Sequence, residues 1–105
     1  MKKENRDGRI TITSDREKKF INMNTALMAA QMMQLNMTQQ GYLTTSRFDP
    51  ENKIIEVTVH FGGKAFPTLF TGYKSTYHEV KSSQYWSEVL KKTITVRVLT
   101  FHFEY

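Results

Sequence analysis

The chain contains no cysteine, which rules out disulfide staples, thiolate metal sites and a cysteine nucleophile. Small secreted domains commonly need such staples, so their absence points to a reducing, cytoplasmic setting. Proline occurs twice and glycine five times, and no Gly/Ser-rich or Pro-rich tract divides the 105 residues. One domain is expected. Internal repeats and low-complexity tracts are absent too. Residues 1–8 carry positive charge with no apolar stretch behind them, unlike a signal peptide. They are expected to be flexible, with a single domain over 9–105.

The most informative lack is of charge. Residues 20–46 hold no Asp, Glu, Lys or Arg, yet the segment is not greasy. Its longest unbroken apolar run is Ala26–Ala30, and Asn22, Asn24, Gln31, Gln34 and Asn36 would each be costly in lipid. A membrane-spanning helix is therefore excluded. A membrane-surface helix is disfavoured as well, since such helices usually carry lysines on their polar face. A solvated helix normally shows charges on its outer side, so an uncharged one is expected to be covered by its own domain or by a partner.

What charge there is favours the positive sign. The formal net charge is +5 and the pI about 9.6. Residues 1–19 carry seven Lys or Arg against four Asp or Glu, and residues 47–105 carry eight against six, so acids and bases are interleaved. No basic run marks a nucleic-acid arm.

The pattern along the chain predicts its elements. Arg9–Thr13 alternates like a short strand. Ser14 and Glu17 have the spacing of a capping box, which predicts a helix from about Asp15. Gly41 supplies a stop after Gln40. On that helix Phe20, Ile21, Leu27, Met28, Met32 and Leu35 share one broad face, expected to pack on the domain. Met23, Ala26, Ala30, Met33 and Met37 form the flank and opposite side. Tyr42–Phe48 and Ile54–Phe61 read as a hairpin around Asp49-Pro50-Glu51-Asn52, with Ile55, Val57, Val59 and Phe61 facing one way.

Gly62-Gly63 breaks the ladder, and Pro67 demotes 64–70 to a loop or edge strand. Residues 71–80 suggest a further strand. Ser82 or Ser83 is read as the cap of a second helix through Lys92, with Tyr85, Trp86, Val89 and Leu90 inward. Thr93–Tyr105 is a β-branched and aromatic strand. Ile94, Val96 and Val98 hold one parity there and Leu99, Phe101 and Phe103 the other, which predicts either a central strand or a bulge near Val98-Leu99. The expected fold is thus α+β, with an antiparallel or mixed sheet and two helices. Its β-α-β-β-(β)-α-β order matches ferredoxin-like folds.

Chemistry finds little footing. The sequence has no Gly-x-Ser-x-Gly elbow, and Gly62-Gly63-Lys64 lacks the phosphate-loop frame. His60, His78 and His102 sit in expected strands without ligand spacing, so neither a metal site nor a cofactor is expected. The reading is a non-enzymatic interaction protein that forms a homo-oligomer or binds a protein partner. The expected interface is Met23, Ala30, Met33 and Met37 with Leu99, Phe101 and Phe103. Methionine suits such surfaces because it is flexible and polarizable. The alternative is a nucleic-acid-binding accessory protein using Lys2, Lys3, Arg6, Arg9, Arg16, Lys18, Lys19, Arg47, Lys53 and Arg97, with exposed aromatics stacking on bases.

Overall fold

Alternation of apolar and polar residues builds the centre of the molecule. In the computed structural model, which describes residues 10–62 and 75–105, β2 (Leu43–Asp49) and β3 (Ile54–Gly62) form the expected hairpin. The Asp49 carboxylate accepts from the backbone N–H and the side-chain amide of Asn52 and so closes the turn. Ile55, Val57, Val59 and Phe61 are all buried on one face.

The remaining elements are β1 (Ile10–Thr13), α1 (Met23–Gln39), β4 (Tyr77–Ser87) and β5 (Lys92–Glu104). The strands make one five-stranded sheet in the order β1-β4-β5-β3-β2, every neighbour antiparallel. β5 is central, one of the two alternatives its apolar parities left open. Its ladder with β4 runs without a break from Lys92 to His102, so no bulge falls at Val98-Leu99. The irregularity lies instead in β3, between His60 and Gly62.

Two helix expectations are corrected. The first helix begins at Met23, not near Asp15. Ser14 and Glu17 are engaged elsewhere: the Ser14 hydroxyl accepts from the His78 N–H, and Ser14 and Glu17 donate their own N–H groups to the carbonyls of His78 and Thr76. Residues 14–20 therefore run past the end of the sheet as an extended strap. The working cap is Asn22, whose side chain accepts from the Thr25 N–H while the Thr25 hydroxyl accepts from the Asn22 N–H. At the other end Gly41 adopts φ 92, and Gly41 and Tyr42 donate to the carbonyls of Thr38 and Met37. This is the two-bond glycine stop expected after Gln40.

The second helix is absent. Residues 82–87 are strand, paired from Ser82↔Arg97 to Ser87↔Lys92. A serine-capped span such as 82–92 can read as helix locally, but the β-branched run Ile94-Thr95-Val96 needs a backbone partner, and β4 supplies it. With one helix among the described residues, the ferredoxin-like order and second helix are not observed; the order is β-α-β-β-β-β. The expected elements at 1–9 and 63–74 lie outside the described residues.

α1 lies on one face of β2, β3 and β5. Ala26, Ala30, Met33 and Met37, spaced four, three and four apart, are buried against Ile55, Val57, Val59, Phe61, Leu99, Phe101 and Phe103. This inverts the expected faces. Leu27, Met28, Met32 and Leu35 point away from the sheet. The physical reason is shape: the sheet already presents three phenylalanine rings, so the helix can approach only with small alanines and pliant methionines. Phe20 alone of the expected face packs inward, 5.9 Å from Phe103. No helix among the described residues is long and apolar enough to cross a membrane.

Candidate functional site

The outward side of α1 is an apolar surface that no other described element covers. Met28 is 65% exposed, Met32 61% and Leu35 56%, with Leu27 at the margin. They form a continuous ridge because helical positions three and four apart are neighbours. Beside it, a groove of about 140 Å3 runs between α1 and edge strand β2, lined by Leu27, Gln31, Gln34, Phe48 and Ile55. The groove is held open by polar contacts at one margin: the Gln34 amide donates to the Thr44 hydroxyl at 3.2 Å, and Thr38 and Thr44 share a hydrogen bond at 3.3 Å. Phe48, half exposed, extends the apolar area onto the edge strand.

The expected interface residues fall elsewhere. Ala30, Met33, Met37, Leu99, Phe101 and Phe103 are core, and only Met23, 42% exposed, reaches the surface. The exposed ridge lies on the other side of the same helix. The sequence held one signal for this inversion: Ala26 and Ala30 are four apart and too small to make a good outer ridge, yet suit close approach to a ring-filled sheet.

The face of the sheet away from α1 carries a polar network. Antiparallel register sets Tyr77 opposite His102 and His102 opposite Glu56. The His102 Nε2–H donates to Glu79 at 2.9 Å, and its Nδ1, buried and without a hydrogen-bond partner, lies 3.7 Å from a Glu56 oxygen. The strap brings Arg16 over this face. Its guanidinium binds Glu104 at 2.6 Å and covers the Tyr77 ring at 4.2 Å. Arg47 grips Glu56 through two donors. Each arginine is held above its ordinary pKa by hydrogen bonding to that carboxylate.

A histidine–carboxylate pair has the ingredients of a general base, but this imidazole is covered by Tyr77 and its side chain is only 8% exposed. The network closes the sheet end on the face away from α1. The three histidines do not converge: His78 packs on Phe101, on the helix side, whereas His102 faces the other way. Among the described residues no three His, Asp or Glu side chains are grouped to hold a metal ion.

The basic residues are dispersed as well. Arg16 and Arg47 are committed to carboxylates. Lys18 and Lys19 are exposed on the strap, Lys53 in the β2–β3 turn, and Arg97 is half-buried on β5. Lys2, Lys3, Arg6 and Arg9 lie outside the described residues. Phe101 and Phe103 are buried, so they are not among the exposed aromatics that a base-stacking surface needs.

No family model matches the chain, and neither does any curated protein or solved structure.

Proposed function

We propose that the chain is a small, non-enzymatic interaction protein that self-associates by packing the outer ridge of α1 against the same ridge of a second copy. Support comes from one observation above all. Met28, Met32 and Leu35 are more than half exposed on a helix with no charged residue, in a chain whose net charge is +5. Two copies repel each other over most of their surface, but not where charge is missing. A second copy of an uncharged ridge is the partner that brings no unpaired charge into the contact. Pairing about a two-fold axis would let Leu27, Met28, Met32 and Leu35 meet their own counterparts, with Gln31 and Asn24 hydrogen-bonding at the rim. Its cysteine-free composition suits a cytoplasmic setting.

The test is solution mass by light scattering after gel filtration, at low and high salt, with nucleic acid removed. A multimer whose mass does not change with salt is expected, because an apolar contact is not screened. Met32→Lys should give a folded monomer by circular dichroism. A native chain that is monomeric in both buffers overturns the reading. Bound nucleic acid released steeply by salt would turn it toward the accessory role, with Lys18, Lys19 and Lys53 as contacts.

A further inference from the structure

With no cysteine in the chain, methionine carries all of its sulfur. Five of the six methionines lie on α1, and the helix sorts them by depth. Met33 and Met37 are 1% and 0% exposed, packed in the core with Phe61, Phe101 and Phe103. Met28 and Met32, four residues apart and therefore neighbours on one side of the helix, are 65% and 61% exposed. Met23, the first residue of the helix, lies between at 42%.

A thioether at the surface is open to peroxides, whereas one enclosed in a packed core is shielded. The sulfur lone pair attacks one oxygen of hydrogen peroxide, and the O–O bond breaks as the S–O bond forms. The proton on the transferred oxygen passes to the departing hydroxide, which leaves as water. Sulfur is oxidised by two electrons to the sulfoxide and the peroxide is reduced by two. The product ends a pliant apolar side chain in a strong hydrogen-bond acceptor. Leu27 and Leu35, which complete the ridge, have no side-chain donor to offer it. Where the ridge of one copy packs on that of another, the new acceptors are buried unpaired.

We infer that Met28 and Met32 are a peroxide-responsive modification site whose conversion to sulfoxide dissociates the assembly and leaves the fold intact. The inference rests on self-association through the outer ridge of α1. The fold survives because the sulfurs that hold α1 on the sheet, Met33 and Met37, are sealed in the core. No thiol competes for the oxidant, so the response stays on methionine. Self-association covers the two ridge sulfurs, so the dissociated chain is the form that reacts, and its oxidation draws the equilibrium toward monomer. The change is reversible, because sulfoxide reductases return the thioether.

The full chain is treated with dilute hydrogen peroxide and followed by peptide mass spectrometry, light scattering and circular dichroism. Expected are one added oxygen at each of Met28 and Met32 before any at Met33 or Met37, and an unchanged helical signal. Association should weaken at least about tenfold, read as loss of assembled mass. The two methionine sulfoxide reductases, one for each epimer, should together restore the assembly. The Met28→Leu, Met32→Leu double variant keeps the apolar volume and should stay assembled in the same peroxide. Oxidation of Met33 as fast as Met32, or dissociation of the leucine variant, would overturn the assignment. An untreated multimer that persists with both residues oxidised removes this switch alone. An untreated chain that is already monomeric removes the self-association reading and the switch with it.

Discussion

Tyr77 and His102 lie face to face, their ring centroids 4.2 Å apart and their planes within 7°. The pairing follows from the β4–β5 register, and Arg16 caps the outer face of the tyrosine. Burial pushes the Tyr77 hydroxyl above the ordinary tyrosine pKa, against the opposing charge of Arg16. The folded state therefore holds this proton more tightly than the unfolded chain. Its contribution to stability is complete below pH 10 and is lost as pH rises through the folded value. Ultraviolet titration should show one late-titrating tyrosine that disappears in Tyr77→Phe, and the melting temperature of wild type should fall more steeply than that of the variant above pH 10.

His78 gives the opposite dependence. Burial beside Phe101 lowers its pKa below the usual 6.5. A depressed base is neutral in the folded state, so its contribution is present above pH 6.5 and lost as pH falls through the folded value. Melting curves between pH 7.5 and 4.5 should show wild type losing stability relative to His78→Gln. Parallel curves would remove His78 from the acid response.

Adjacent methionines on α1 should behave as opposites. Met33 is 1% exposed and Met32 61%. Met33→Ala should cost about 2–4 kcal/mol in urea unfolding, through lost burial and a residual cavity. Met32→Ala should change monomer stability by less than about 0.5 kcal/mol. Equal costs at both positions would mean that the helix is rotated about its axis from the orientation described.

The helix start has its own test. Asn22→Ala removes the acceptor for the Thr25 N–H, 2.9 Å away, and should cost about 1 kcal/mol with some loss of helical signal at 222 nm. Ser14→Ala should leave that signal intact, since its hydroxyl serves the His78 N–H on the strap. A helical loss on Ser14→Ala would place the first turn earlier in the chain.

Both hairpin turns end in a left-handed lysine, Lys53 with φ 55 and Lys91 with φ 56. A side chain with a Cβ costs about 1 kcal/mol there, partly offset by the freedom glycine has when unfolded. Lys53→Gly should raise the denaturation midpoint by an amount worth about 0.5–1 kcal/mol. Lys53 is not one of the α1 ridge or groove residues, so the gain should appear with no change in solution mass.

Local signals were legible in the sequence wherever short-range geometry decides. Alternation in Ile54–Phe61, the Asp49-Pro50 turn and the glycine stop at Gly41 each depend on residues within a few positions, and each is found as expected. The double parity of Leu99, Phe101 and Phe103 against Val96 and Val98 left a central strand or a bulge open, and the strand is central with an unbroken β4 ladder. Tertiary structure alone decided three things. It drew Ser14 and Glu17 into hydrogen bonds with β4 and the residue before it, which cancelled their value as a cap. It turned Ser82–Ser87 into strand, because the long central β5 needed a backbone partner that no local propensity can register. And it chose which side of α1 to bury. Summed hydrophobicity favours Leu27, Met28, Met32 and Leu35, but a sheet already filled by Phe61, Phe101 and Phe103 admits the alanine side, so close packing overrode apolar content and left the larger side chains outside.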